Sequence, residues 1–131
     1  MTPPEARLRI LREWLAKAEA DMDLAEHLVK EGIFPGAAAF HSQQAAEKFL
    51  KAFLVWRGIY FPKTHDLEEL LDLAETVAPT LAESLRDVIV LSPYGVTLRY
   101  PGDRPEASAA EAGEAARLAA KVRSAVLPLL P

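Results

Sequence analysis

The 131-residue chain contains no cysteine. That excludes disulfides, a zinc–thiolate site and a cysteine nucleophile. No apolar run approaches the ~20 residues that a membrane span requires. The opening stretch MTPPEARLRILREWL is charged from Glu5 onward and holds no secretory apolar segment, so a cytoplasmic protein is expected. Neither familiar glycine-rich phosphate loop occurs. The three histidines, His27, His41 and His65, form no HExxH arrangement, so no metal or cofactor is expected. Ser42, Ser84, Ser92, Ser108 and Ser124 lack the context of a nucleophile elbow. Positive charge is in deficit: 15 Lys and Arg face 19 Asp and Glu, a net charge of −4. This argues against a nucleic-acid binder held by positive potential over its whole surface, but a local basic groove stays open. Alternating strand patterns and internal repeats are also missing.

What remains is helical signal in an ordinary soluble composition, 50% hydrophobic and 26% charged. The length suits one domain, residues 1–131, with 127–131 as a tail. Thr2, two prolines and Glu5 open a first helix that stops at Gly32, with Leu11, Trp14, Ala18, Ala25 and Leu28 as its apolar stripe. A short connection through Ile33–Gly36 makes the second helix an antiparallel neighbour, and it ends at Gly58. Ile59–Pro62 is an apolar linker expected to pack down. Thr64, or Asp66 with Glu69 as a capping box, opens a third helix with Leu67, Leu70, Leu71 and Ala74 inward. Pro79 starts a fourth, with Leu81, Leu85, Val88 and Ile89 inward as far as Pro93. Asp103 with Glu106 is the expected cap of a last helix reaching Leu127. The expected fold is all-α, an up-and-down bundle of four to five helices.

The second helix, GAAAFHSQQAAEKFLKAFLVW, concentrates the chemistry. Phe40, Ala46, Phe49, Leu50, Phe53 and Leu54 fall on one side. His41, Gln44, Lys48 and Lys51 share the other, within a stripe of roughly 80° at about 100° per residue. Glu47 and Lys51 stand in the favourable order for an intrahelical pair worth about 0.2–0.5 kcal/mol. Asp21 interrupts the apolar stripe of the first helix, three residues after Ala18 and four before Ala25. An unpaired buried carboxylate is costly, so a cationic or hydrogen-bonding partner is expected on another helix, the alternative being a carboxylate at the edge of the stripe that reaches water. His65 lies where it can cap or face the second helix. Arg99 offers a planar fork for phosphate and Tyr100 an aromatic face for a base, the alternative being that Tyr100 plugs the core and Arg99 pairs with a carboxylate.

Asp21 with Ala25, then Gln44–Ala52 (QAAEKFLKA), Thr64–Leu67 (THDL) and Arg99–Pro101 (RYP) resemble, in order and spacing, the HEPN domain (higher eukaryotes and prokaryotes nucleotide-binding). The resemblance covers nearly the whole chain. It implies a helical bundle, often a homodimer, commonly paired in prokaryotes with a minimal nucleotidyltransferase in toxin–antitoxin-like modules. Many members are metal-independent ribonucleases with an Arg followed after four to six residues by His. This chain departs from that motif, because no histidine follows Arg99. The resemblance therefore implies a non-catalytic accessory subunit that binds nucleotide or RNA phosphate through Lys48, Lys51, Arg99 and Tyr100. Asp21, His41, Gln44 and His65 would support that site. The alternatives are a ribonuclease toxin with a non-standard acid/base such as His41 or His65, and a purely structural oligomerisation module.

Overall fold

The structure, a computed structural model, describes residues 3–95 and 106–131. Five α-helices are formed among them: α1 (Pro4–Glu31), α2 (Pro35–Trp56), α3 (Leu67–Glu75), α4 (Pro79–Ser84) and α5 (Ala109–Val126). A 3-10 segment, Arg86–Gly95, follows α4, and a short one, Leu127–Leu129, follows α5. No strand occurs among the described residues. The chain is an all-α bundle.

The helix ends follow from local chemistry. α1 and α2 both stop in the same closing turn, in which glycine takes the left-handed conformation, at φ 68° for Gly32 and 71° for Gly58. In α1 the turn is closed by Gly32 donating to the Val29 carbonyl and Ile33 to that of Leu28, both at 3.1 Å. The link to α2 is only three residues long. It places Phe34 at φ 46°, a left-handed conformation unusual for a bulky residue, and leaves it 69% exposed. Asp66 caps α3 by accepting from the Glu68 amide at 3.0 Å, and Thr64 accepts from Asp66; the expected box with Glu69 does not form.

Two expectations need correction. The fourth α-helix ends at Ser84, and the chain continues as 3-10 turns with Pro93 inside them. Leu81, Leu85 and Val88 are buried as expected, while Ile89 is half-buried. The last helix begins at Ala109 and not near Asp103, which lies outside the described residues. Ser108 accepts from the Glu111 amide at 3.1 Å, and the Glu111 carboxylate accepts from the Ser108 amide at 2.9 Å. This reciprocal box satisfies two of the donors at the start of α5.

α2 lies at the centre, packed by α1, α5, α3 and the 3-10 segment. Ala38, Ala39, Ala45 and Ala46 are fully buried and let neighbouring backbones approach closely. Phe49, Leu50, Phe53 and Leu54 fill the core with Leu67, Leu70 and Leu71 of α3 and Ala119, Val122 and Val126 of α5. Truncating either phenylalanine to alanine removes about 3–5 kcal/mol at such sites. Being surrounded, α2 has no fully solvated face along its second half. Glu47 and Lys51, read from the sequence as an intrahelical pair, are only 2% and 5% exposed.

Candidate functional site

Two carboxylates organise the polar edge of α2. Asp21, from the middle of α1, is the first. Its Oδ1 meets His41 Nδ1 at 2.9 Å, and its Oδ2 accepts from Lys48 Nζ at 2.6 Å. The cationic partner expected of Asp21 is therefore Lys48, across the α1–α2 contact. The Asp21 side chain is 13% exposed, against 21% for Lys48 and 28% for His41. The carboxylate is sheltered and its two partners reach the surface.

Glu47 is the second. Its Oε2 accepts from Lys51 Nζ at 2.9 Å, and its Oε1 from Gln43 Nε2 at 3.2 Å. Oε1 also meets His65 Nδ1 at 2.8 Å. The Lys51 ammonium lies 5.3 Å from the Trp14 ring centroid and 5.8 Å from that of Phe61. Aromatic faces and a carboxylate thus replace the water that the ammonium loses on burial. His65 differs: its side chain is 71% exposed although its carboxylate partner is 3% exposed. An ionised carboxylate only accepts, so Nδ1 carries the proton in this pair and Nε2 is left for solvent. The same logic applies to His41 on Asp21.

Gln43 joins the parts. It is fully buried, and its Nε2 donates to the His65 carbonyl at 3.1 Å as well as to Glu47. Its Oε1 accepts from Gln44 Nε2 at 2.6 Å. The amide also rests against Gly95, where a Cβ would stand 2.8 Å from Gln43 Cδ.

Of the residues singled out in the sequence, Asp21, His41, Gln44, Lys48 and His65 lie along this edge. Lys51 belongs to it but faces the interior. Arg99 and Tyr100 lie outside the described residues. Sequence reasoning missed Gln43 as the bridge and Trp14 with Phe61 as the aromatic seat of Lys51. The Gln43–Glu47–Lys51 row at four-residue spacing was the available signal for the first. No group of three or more His, Cys, Asp or Glu among the described residues is arranged to hold a metal ion. No helix among them is long and apolar enough to cross a membrane.

An α-helical bundle built round one central helix, with a carboxylate-anchored polar edge, is the class that fold and site define. The chain belongs to the HEPN family: the HEPN domain family model matches residues 11–129. A solved structure from Thermus thermophilus, TT1696, is 31% identical and superposes with a TM-score of 0.71 over 92% of this chain and 98% of its own. ST0689, described as an archaeal HEPN homologue, is 25% identical, with a TM-score of 0.72 and the same coverage. In Methanocaldococcus jannaschii, "Putative toxin MJ1304" is 35% identical over 54 residues. That match spans 41% of this chain and 35% of the relative's length.

Proposed function

We propose that this chain is the non-catalytic HEPN subunit of a toxin–antitoxin-like pair, and that the polar edge of α2 binds the phosphate of a nucleotide or of RNA. The observation that carries this reading is the Asp21 cluster. One sheltered carboxylate holds Lys48 and His41 at fixed positions on the surface, at 2.6 and 2.9 Å. Well-packed apolar residues often serve stability as well as a charged cluster does, so an ordered set of donors at this depth fits a binding role. Lys48 supplies charge, and His41 and Gln44 flank it as hydrogen-bonding groups. Arg99 and Tyr100 complete the site in this proposal. Lys51, spent on Glu47 and its aromatic seat, supports the site from within. The similarity to the M. jannaschii protein favours a toxin–antitoxin setting. The partner in this reading is a minimal nucleotidyltransferase, and the chain acts as a cytoplasmic homodimer.

Calorimetric titration with AMP, ATP and a short single-stranded RNA tests the site. Lys48→Ala and Arg99→Ala should each weaken binding about tenfold or more while helical circular dichroism stays unchanged. Equal affinity for both variants and wild type would refute the assignment. Failure to co-purify with a nucleotidyltransferase encoded beside it would remove the accessory role.

One observation favours a second reading. The pairing of buried Glu47 with exposed His65 matches the way carboxylates orient histidines for proton transfer. In that reading His65 is the acid/base of a metal-independent ribonuclease. RNA cleavage in the presence of EDTA that is lost in His65→Gln supports it, and no cleavage by wild type removes it.

A further inference from the structure

A second polar anomaly sits where α1 begins and α2 stops, away from the Asp21 and Glu47 clusters. A cavity of about 370 Å³ opens there between Arg7 and Ile10 of α1, Val55 of α2, and the connection from Gly58 to Phe61. That volume lies within the ~300–1,000 Å³ range of small-molecule sites. Ile10, Val55, Ile59 and Phe61 make its walls apolar, and Tyr60, also in the lining, is 87% exposed. Arg7 is the one charged residue in the lining.

Its guanidinium is poorly compensated. Nη1 donates to the Trp56 carbonyl at a long 3.3 Å, and Nε is buried with no partner. No ion pair to Arg7 is formed among the described residues. The facing segment, residues 53–63, supplies no counter-charge, since it contains Arg57 and Lys63 and no acid, and Glu5, two residues before Arg7, makes no ion pair with it. Gly58, at φ 71°, leaves room for the guanidinium: a Cβ added there would lie 3.3 Å from Nη1. Desolvating a cation and returning it a single long backbone acceptor costs free energy, and native proteins resolve such groups with a water, an ion or a ligand.

One cation among apolar walls selects a single negative charge on an apolar body. The guanidinium fork matches a carboxylate with two parallel hydrogen bonds. A phosphate monoester, with its larger charge, would find no second cation in this lining. We infer that the cavity is a binding site for a small amphipathic carboxylate. The acid group pairs with Arg7, the aliphatic or aromatic body lies along Ile10, Val55, Ile59 and Phe61, and Tyr60 folds over it.

Decanoate and decanol, titrated separately into the purified protein and read by calorimetry, test this directly. Decanoate should bind saturably at one site per chain, with decanol at least tenfold weaker. Arg7→Gln should weaken decanoate at least tenfold and leave decanol unchanged. Ile10→Trp, which fills the cavity and keeps the charge, should abolish decanoate binding. Arg9→Gln, which lines a different groove on α1, should bind as wild type does. Arg7→Lys serves if Arg7→Gln fails to fold: it keeps the charge, loses the fork, and should bind more weakly than wild type. Decanol binding as tightly as decanoate, no saturable decanoate binding by wild type, or wild-type affinity in the folded Arg7 variant would each overturn the assignment.

Discussion

Replacing Glu47 by glutamine changes one atom and removes one charge from the centre of the bundle. Glu47 accepts from Lys51 on one oxygen and from Gln43 and His65 on the other. A glutamine has one acceptor oxygen and a donor NH2, so it cannot serve both sides. If its oxygen faces Lys51, its NH2 points at Gln43 and His65; the opposite orientation sets NH2 against an ammonium. Either way a lysine side chain only 7% exposed loses its counter-ion. Breaking a buried pair from one side costs about 3–5 kcal/mol. At ~2.1 cal/mol/K per residue, a chain of this length unfolds with an entropy of about 0.28 kcal/mol/K, so each kcal/mol moves Tm by about 3.6 °C. The expected loss is therefore about 11–18 °C. Thermal unfolding followed by circular dichroism at 222 nm measures it, and urea titration checks that the m-value is unchanged. The double variant Glu47→Leu/Lys51→Met, which removes both charges, should recover most of the loss. A Glu47→Gln loss under about 1 kcal/mol, or a double variant no better than the single one, would show that Lys51 finds water and that the pair is not a closed unit.

Four further outcomes are expected. Gly95→Ala should cost about 1–3 kcal/mol in urea unfolding, because its Cβ would strike the locked Gln43 amide at 2.8 Å; a neutral change would mean that this amide is free to move. Ser108→Ala should cost about 0.5–2 kcal/mol in the same assay through loss of the α5 cap. Hydrogen bonds from the Ser108 backbone and side chain hold the Glu111 carboxyl below the ordinary glutamate range. Its folded value is thus the depressed one, so its contribution is complete above the unfolded value and fades as pH falls through the folded value; Glu111→Gln should flatten that acid limb of a Tm–pH profile. Phe34→Asn should raise Tm by a few degrees by placing a residue tolerant of φ 46° in the α1–α2 link, and a fall would show that the exposed ring makes a contact that outweighs the strain.

Much of the bundle was legible because its signals are local. Gly32, Gly58, Asp66 and Pro79 each mark a helix boundary through chemistry that needs no distant partner. The fourth helix was misread because Leu81, Leu85, Val88 and Ile89 keep helical spacing through Arg86–Gly95. The tighter 3-10 turns there depend on packing against α2 and α3, which a periodicity cannot report. The last helix shifted because two acceptable capping pairs stand five residues apart, Asp103 with Glu106 and Ser108 with Glu111. At the site, Asp21 was legible as a breach of pattern that demanded a partner. Lys51 was not, because a lysine opposite an apolar stripe signals solvent unless other helices close over it, as they do round α2. His65 was open to two readings, and its contact with Glu47 joins residues 18 apart in the chain.

Gln43 has a consequence for how this edge responds to change. Its one amide touches Gln44, Glu47, the His65 backbone and Gly95. With both hydrogens of its NH2 engaged, it has no spare donor to take up slack. A displacement of His65 therefore reaches the end of the 3-10 segment through a single rigid group, like a latch shared by two doors. Shortening it by one methylene in Gln43→Asn would withdraw its bond to Glu47 and let the two move independently, while leaving the Asp21 cluster in place.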